Sequence, residues 1–245
     1  MNTKLDISVI ILGYRSGAFL KEFHSKVVSI LEKMNLNYEI ILVGNYHSKH
    51  TDVTPEVAST LAQNHTYTKA VDKKKTNSTQ AMGWDMKSGF DISKADTLCV
   101  IDGDGQMPPG DIPLLYKKLK EENLDLCKAR RVSREDGTYR KFISFLFNRI
   151  MSLLFPGIIS TDINGKPKIF TREAFNKLQL ESDDWFIDSE IMIKARRFKF
   201  KIGEIKTSFY LNPETTSSVS FTTNSEFLKN ILIWRLKETK LWMKR

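Results

Sequence analysis

Cysteine is scarce in this sequence of 245 residues, which contains only Cys99 and Cys127. The two lie far apart, each in an apolar segment, so the sequence predicts neither a disulfide framework nor a zinc site. We expect both to be buried thiols of a protein that works in a reducing compartment.

Long hydrophobic runs are also missing. The most apolar long segment, residues 142–159, is interrupted by Asn148, Arg149 and Pro156, and this pattern excludes a transmembrane helix. The N-terminal residues lack the apolar stretch and the small-residue cleavage site of a signal peptide. We therefore expect the protein in the cytoplasm. Peripheral binding to the inner face of the membrane stays open.

Acidic residues are outnumbered: 29 Asp and Glu stand against 38 Lys and Arg, which gives a formal net charge of +9. This excess favours anionic partners such as a nucleotide diphosphate, a phosphorylated acceptor, a nucleic acid or an anionic membrane surface. No nucleic-acid-binding motif is visible, so we expect no nucleic acid partner. The length and the hydrophobic content of 41% suit a single α/β core.

Strand-like and helix-like segments alternate along the first half of the chain. Short apolar runs predict buried strands at 7–12, 38–43, 97–101 and 124–127. The spacing of apolar residues predicts helices at 19–36, from about Pro55, at 79–90 and at 111–122. This order predicts an α/β fold with a doubly wound, mainly parallel sheet, which binds ligands at the carboxyl ends of its strands.

The second half of the chain is less regular. Its pattern predicts helices at 139–154 and 186–197, and strands at 168–170, 201–205 and 208–211. A loop rich in Ser and Thr, 212–224, precedes an amphipathic, basic C-terminal helix at 225–245. We therefore expect one domain at 1–224, followed by that helix.

Two aspartates, Asp102 and Asp104, directly follow the predicted strand 97–101, in the sequence Asp-Gly-Asp-Gly-Gln. The strand places them at the carboxyl edge of the sheet, and the glycines allow the backbone to turn tightly. Two carboxylates one residue apart can converge on Mg²⁺ or Mn²⁺, which prefer oxygen ligands and complete their shell with substrate phosphates. The alternative is a solvated Asp-Gly turn of the kind common in loops.

The segment 98–112, LCVIDGDGQMPPGDI, resembles the signature of family 2 glycosyltransferases of the dolichyl-phosphate mannose synthase type. Further similarities follow in the family's order, at 8–11, 38–43, 81–89, Arg130, Asp162, Gly165 and Glu190. The resemblance implies a GT-A (Rossmann-like) domain. It also implies inverting transfer of a sugar from a nucleotide-sugar donor to a polyprenyl phosphate or a glycan.

The same resemblance implies roles for individual residues. Asp102 is expected near the donor ribose or the metal, Asp104 on the metal, and Gln106 beside the donor diphosphate. The resemblance assigns phosphate binding to Arg130, Arg140 and Ser144, and the phosphate belongs either to the donor or to a phosphorylated acceptor. Arginine grips phosphate through paired hydrogen bonds, and a metal with guanidinium groups stabilises a leaving diphosphate. For Arg140 the alternative is a solvated helix face.

The sequence departs from the family after the second predicted strand. Relatives usually carry two aspartates there, the first of which contacts the base, whereas this chain has Gly44-Asn45-Tyr46-His47-Ser48. Asn45 can hydrogen-bond to a base edge, so we expect it to bind the donor, but the identity of the base stays open. The late loop 212–221 also lacks the arginine that relatives often have.

An acidic cluster at 183–190 precedes an apolar helix and offers a general base to an acceptor hydroxyl. The candidates are Asp188 and Glu190, of which at most one is expected to act, because they point to different faces of a helix. The alternative is an ordinary acidic first helical turn, which the helix dipole favours. An acceptor phosphate is already ionised near neutral pH and needs no strong base.

The C-terminal helix mixes Trp234, Trp242 and several Leu and Ile residues with basic side chains. That composition fits a helix lying on anionic lipid, and it fits equally a helix docked on the protein's own sheet. Two other functions also stay open. One is a sugar-nucleotidyltransferase, for which the segment 13–17 is a faint match, and the other is a non-catalytic protein that binds phosphate or lipid.

Overall fold

The computed structural model describes residues 4–47, 52–134, 137–158, 160–211 and 221–242. Seven strands alternate with helices, as follows: β1 Ile7–Leu12, β2 Tyr38–Val43, β3 Thr68–Val71, β4 Thr97–Asp102, β5 Leu126–Arg134, β6 Lys168–Thr171 and β7 Ile202–Phe209. The helices are α1 Phe19–Lys33, α2 Thr54–Asn64, α3 Met82–Ile92, α4 Asp111–Glu121, α5 Thr138–Leu154, α6 Arg172–Leu178, α7 Ile187–Arg197 and α8 Phe221–Trp242.

The strands form one sheet in the order β3-β2-β1-β4-β6-β5-β7. The pairs β1–β2, β1–β4, β2–β3 and β5–β7 are parallel, and only β6 runs antiparallel to its neighbours β4 and β5. The α/β fold with a mainly parallel sheet that the sequence predicts is therefore confirmed.

Helices cover both faces of the sheet, because alternate residues of each central strand are buried on opposite sides. On one face, Ile7, Val9 and Ile11 of β1 pack with apolar residues of α1, α2 and α4. On the other face, Ile10 and Leu12 pack with residues of α3, α5, α7 and α8. This three-layer arrangement leaves the carboxyl edge of the sheet as the place where loops, and hence ligands, gather.

Some elements differ from the expectation. β3 and α6 were not predicted, because they are short and neither shows a clear apolar period. The two expected strands at 201–205 and 208–211 are one strand, β7, which pairs along β5 with a register irregularity between Arg131 and Ser133. Because α8 begins at Phe221, the expected boundary at 224/225 falls inside that helix, and residues 212–220 of the expected loop lie outside the described residues.

The C-terminal helix α8 is docked on the domain. Ile231 and Trp234 are buried, and the Trp234 ring stacks on Phe186 at a centroid distance of 6.4 Å. Arg196 of α7 also forms an ion pair with the buried carboxylate of Glu238. The interpretation of α8 as a helix packed on its own domain is therefore correct for this face, while its opposite face exposes Leu228, Leu232 and Leu236.

Candidate active site

The turn after β4 is held rigidly at the carboxyl edge of the sheet. Asp102 ends β4, and the Gly103 amide donates to the Leu12 carbonyl of β1 at 2.8 Å. A Cβ atom on Gly103 would lie 2.9 Å from a methyl group of Ile11, so no larger residue fits without displacement. Gly105 has a φ of +73°, a conformation that favours glycine.

Two further hydrogen bonds fix the far side of the turn. The Gln106 amide donates to Asp104 Oδ1 at 3.0 Å, and the Tyr210 amide, just after β7, donates to the Gln106 carbonyl at 2.9 Å. Asp102, Asp104 and Gln106 are all partly exposed. The sequence motif therefore forms a braced turn that carries two partly exposed carboxylates.

Beside these carboxylates lies a buried row of opposite charges that the sequence reasoning missed. Lys166 Nζ lies 3.3 Å from Asp102 Oδ2 and 3.2 Å from Asp188 Oδ2. Asp188 Oδ1 in turn accepts from Lys168 Nζ at 2.6 Å. The side chains of Asp188 and Lys168 are inaccessible to solvent, and that of Lys166 is 4% exposed. The charges therefore compensate one another inside the protein, as buried charges must.

Burial and neighbouring charges shift the pKa values of Asp104, Lys166 and Lys168. Burial and the neighbouring Asp102 carboxylate raise the pKa of Asp104 to about 6. Burial alone would lower the pKa of Lys166, but the carboxylates of Asp102 and Asp188 raise it above its ordinary value. Burial outweighs the attraction of Asp188 at Lys168 and lowers the pKa of that ammonium to about 8.

Asp102 and Asp104 suit a divalent cation that also binds a substrate. Among the described residues no group of three or more His, Cys, Asp and Glu side chains is placed to enclose a metal. Of these residue types, the described part of the site therefore offers such a metal the carboxylates of Asp102 and Asp104. Mg²⁺ or Mn²⁺ held by one or two carboxylates takes its other ligands from phosphate oxygens and water. The residues present therefore fit a metal that is shared with a diphosphate.

We expect binding of Mn²⁺ to weaken in acid, because a proton would compete with the metal for the Asp104 carboxylate that is predicted to hold it. With a pKa of about 6 in the folded protein, Asp104 is ionised above that pH and protonated below it. We expect the Mn²⁺ affinity to be constant above pH 7 and to fall about tenfold per unit below pH 6. Titration of Mn²⁺ followed by electron paramagnetic resonance between pH 5 and 8 measures this, and a flat profile would contradict it.

The basic residues predicted to bind phosphate lie on two elements. Arg130 is on β5, about one third exposed, with Nε 3.5 Å from Glu204 Oε2. Arg140 is exposed on the first turns of α5, and Ser144 is half-buried one turn further on. Lys168 pairs with Val100 on one side and with Lys128 on the other. Asp102 follows Val100 by two residues on β4, and Arg130 follows Lys128 by two residues on β5, so both lie further toward the carboxyl ends of their strands.

The motif residue Asp162 has a structural role. Its carboxylate accepts two hydrogen bonds from the Arg131 guanidinium, at 2.6 and 2.9 Å, and one from the Arg131 amide at 2.8 Å. Burial alone would raise the pKa of Asp162, but Arg131 holds it well below its usual range. On the same loop, the Ile163 amide donates to Asn148 of α5. The loop that carries Lys166 is thus fastened to β5 and α5.

The structure places Asn45, which was expected to bind the donor base, inside the fold. Its side chain is fully buried and its amide group donates to Asp85 Oδ1 at 2.9 Å and Ser88 Oγ at 3.2 Å. Its oxygen accepts from the Lys73 amide at 2.8 Å. Asp85 also accepts from the buried Lys75, at 2.7 Å. Asn45 therefore organises the end of β2 and offers no exposed polar atom to a base.

The two predicted general bases are also enclosed. Asp188 is held by the two lysines described above, and Glu190 accepts from the amides of Glu181 and Ser182, each at 2.7 Å. Lys194 Nζ lies 2.7 Å from the same Glu190 carboxylate. Both side chains have no accessible surface. Glu190 thus fixes the loop before α7, and its carboxylate has no accessible surface through which to reach an acceptor.

A pattern in the sequence pointed to the residues that were missed. Lys128 follows Leu126 and Cys127 in β5, Lys168 begins β6 directly before Ile169 and Phe170, and both lysines are completely buried. A lysine buried in such a strand requires a carboxylate or carbonyl partner, so it marks a polar site within the fold. The partner itself lies in a distant element, and the strand pattern does not reveal it.

A mainly parallel α/β sheet with a braced pair of carboxylates at its carboxyl edge is the arrangement of α/β proteins that bind their ligands at that edge, nucleotide-binding enzymes among them. The particular family follows from comparison. The model of glycosyl transferase family 2 matches residues 8–179, which is most of the chain. The chain belongs to glycosyl transferase family 2.

Curated relatives are named as lipid-linked sugar transferases. The chain is 26% identical over 146 residues to undecaprenyl-phosphate 4-deoxy-4-formamido-L-arabinose transferase of Proteus mirabilis, covering 60% of this chain and 43% of the relative. The enzyme of the same name from Shewanella sediminis is 26% identical over 151 residues, or 61% of this chain and 44% of the relative. The chain thus spans less than half the length of the curated relatives it matches.

Solved structures share the GT-A fold at low sequence identity. Mannosyl-3-phosphoglycerate synthase from Rubrobacter xylanophilus superposes with a TM-score of 0.70 at 15% identity, covering 96% of this chain and 75% of that one. Glucosyl-3-phosphoglycerate synthase from Mycobacterium tuberculosis, in complex with Mn²⁺, UDP and glucosyl-3-phosphoglycerate, gives a TM-score of 0.67 at 13% identity. That match covers 94% of this chain and 80% of that one. These matches support the fold.

Proposed function

We propose that this glycosyltransferase moves a sugar, with inversion, from a nucleotide-sugar donor to a phosphorylated acceptor, of which a polyprenyl phosphate is the favoured one. The observation that carries the proposal is the braced turn with Asp102 and Asp104 at the carboxyl edge of the sheet. Asp104, together with Asp102, would hold Mg²⁺ or Mn²⁺ against the donor diphosphate, and the metal would stabilise the charge of the leaving nucleotide. Gln106, at the end of the turn, would orient the diphosphate.

The choice of a phosphate acceptor rests on the state of the predicted bases. Asp188 and Glu190 are inaccessible and each carboxylate is already bound by an ammonium group. Taking a proton from an acceptor hydroxyl would require either of them to leave a buried ion pair, which is costly. A phosphate acceptor is ionised near neutral pH and attacks without such a base. Arg130, Arg140 and Ser144 are the residues proposed to hold it.

A sugar-nucleotidyltransferase is disfavoured by the loop after β1. Such an enzyme needs free backbone amides in that loop to cradle phosphate. Here the Arg15 amide donates to Asp52 at 3.3 Å, and the Gly17 amide donates to Thr54 Oγ1 at 2.9 Å. These amides stabilise the connection between β1 and α2, so the loop is committed to holding the fold.

An exposed apolar surface on two neighbouring helices fits a lipid acceptor. On α5, Phe142 and Phe145 are 60% and 68% exposed, and the basic Arg140, Lys141 and Arg149 lie among them on the outside of the helix. The helix α8 adds the exposed Leu228, Leu232 and Leu236. Contact of the Phe147 and Phe227 rings, at 5.2 Å, joins α5 to α8. Aromatic and basic side chains together suit the surface of an anionic bilayer.

No helix among the described residues combines the length and hydrophobicity needed to cross a bilayer. Contact through the α5–α8 surface is the form of membrane association that we propose. The double substitution Phe142→Ser and Phe145→Ser should therefore weaken binding to phosphatidylglycerol vesicles by about tenfold, because it removes two apolar side chains from the interface.

Vesicle sedimentation measures this effect, and the control is Leu114→Ser. Leu114 is 55% exposed on α4, which covers the opposite face of the sheet. Equal losses in the two variants would contradict the assignment of the surface. No loss in either would show that these helices do not bind lipid.

The proposed function itself is tested by thermal unfolding with a panel of nucleotide sugars carrying uracil, guanine and cytosine bases, each with and without Mn²⁺. A rise in the midpoint that needs both the metal and one class of donor supports the proposal and identifies the base. If no nucleotide sugar stabilises the protein in either condition, the proposal is wrong.

A further inference from the structure

Lys166 is the one basic side chain in the described part of the chain that is shown both enclosed in the protein and in contact with Asp102. Its side chain is 4% exposed, and its Nζ also lies 3.0 Å from the sulfur of Met82. The residue lies two positions before β6, the antiparallel strand between β4 and β5. Its ammonium group is enclosed by the protein, while Asp102 is partly exposed.

The ammonium group of Lys166 is fixed in place by the elements around it. Lys168, two residues after Lys166, pairs with Val100, two residues before Asp102, and so holds this part of the chain beside β4. Lys168 holds one oxygen of Asp188 at 2.6 Å, and the second oxygen of Asp188 lies 3.2 Å from Lys166. Held between two carboxylates, Lys166 acts on a ligand through its charge and through Asp102, and not by direct contact.

The local charge balance decides what that ammonium does. Asp102, Asp104 and Asp188 supply three negative charges, and Lys166 with Lys168 supplies two positive ones, so the cluster carries a net charge of −1. A divalent cation binds better as this charge becomes more negative, whereas a diphosphate binds worse. Lys166 Nζ lies 3.3 Å from Asp102 Oδ2, and Asp102 is one of the two carboxylates assigned to the metal.

We propose that Lys166 is a positioning residue that serves as a fixed counter-charge beside Asp102. Its positive charge weakens the binding of a free divalent cation to Asp102 and Asp104. The same charge strengthens the binding of the donor diphosphate to the metal-loaded site. This inference rests on the proposed function, since it assumes that a metal and a diphosphate meet at these aspartates. Its consequence is that the metal stays only when the diphosphate is present.

The test compares the two affinities in Lys166→Met, which removes the charge and keeps most of the stem. We expect Mn²⁺, titrated alone and followed by electron paramagnetic resonance, to bind about five- to tenfold more tightly than in the wild-type protein. We expect inorganic pyrophosphate, titrated by calorimetry at saturating Mg²⁺, to bind about five- to tenfold more weakly. A loosened or partly unfolded site would weaken both affinities together, so the opposite signs distinguish the proposal from structural damage.

Three further variants complete the test. Lys166→Arg keeps the charge and should bind both probes as the wild-type protein does. Lys166→Gln removes the charge but retains a donor to Asp102, and it takes the place of Lys166→Met if that variant does not fold. Lys194→Met is the matched control, because Lys194 of α7 is also buried, at 3% exposed, but is bound to Glu190 and Glu181 instead of Asp102. It should change neither affinity.

The inference is overturned if both neutral Lys166 variants bind the probes as the wild-type protein does, or if they lose both affinities in parallel. In those cases the wild-type protein still binds Mn²⁺ and pyrophosphate, and the proposed function stands. If the wild-type protein binds neither probe, the metal and diphosphate site fails and the inference fails with it.

Discussion

Replacing Asp104 by asparagine should lower the rate of sugar transfer by roughly 10²–10³-fold, the loss seen when one preorganised stabilising group is removed from a reacting centre. Asparagine has the size of aspartate but no negative charge, so the metal loses its expected ligand. The hydrogen bond from the Gln106 amide to Oδ1 is available to the asparagine oxygen as well, and the turn should keep its shape. The variant should therefore fold normally while losing Mn²⁺ binding.

Steady-state kinetics with the donor identified in the nucleotide-sugar panel, together with the Mn²⁺ titration, measure this effect. Asp91→Asn provides the control, because Asp91 is an exposed residue of α3. That substitution removes the same charge from the protein and should leave both quantities unchanged. An Asp104→Asn enzyme with full activity would show that Asp104 is not a metal ligand in the reaction.

Replacing Asp162 by alanine should destabilise the protein by about 3–5 kcal/mol, the usual cost of removing one partner from a buried ion pair. The substitution removes all three hydrogen bonds to Arg131 and leaves that guanidinium, whose side chain is 13% exposed, without its carboxylate. Because Asp162 is ionised in the folded protein, its contribution is present above pH 4 or so and is lost as the carboxylate becomes protonated in acid.

Urea unfolding at pH 7 measures the free energy of unfolding, and Glu173→Ala is the matched control. Glu173 forms an ion pair with Lys177 at 2.7 Å on α6, but the two side chains are 80% and 54% exposed. Its loss should leave the free energy of unfolding almost unchanged, because solvent screens an exposed ion pair. If the two substitutions cost the same, the Asp162–Arg131 pair does not fasten the loop that carries Lys166.

Most of the sheet and the turn after β4 were predictable because their signals are local. β1 and β2 begin and end where their apolar runs do. The Asp-Gly-Asp-Gly sequence follows its strand directly, so its position at the sheet edge depends only on the strand being parallel. The glycines are explained by the close approach of Ile11 to Gly103 and by the positive φ of Gly105.

The buried polar contacts were not predictable, because each depends on a partner far away in the sequence. Lys166 reaches Asp102 across a separation of 64 residues, and Asn45 reaches Asp85 across 40. In the sequence, Asp188 and Asn45 look like exposed polar residues at the end of an element, which is how functional residues also look. Only the packing shows that Asp188 neutralises two lysines and that Asn45 is used within the fold.

The measurement that tests the central claim most directly is sugar transfer by the purified chain to polyprenyl phosphate in vesicles, with labelled nucleotide sugars and Mn²⁺. We predict a lipid-linked sugar of inverted anomeric configuration, formed with the metal, absent with chelator and reduced at least about 100-fold by Asp104→Asn. A product of retained configuration would contradict the inverting step. Equal transfer by the wild-type protein and by Asp104→Asn would contradict the site itself.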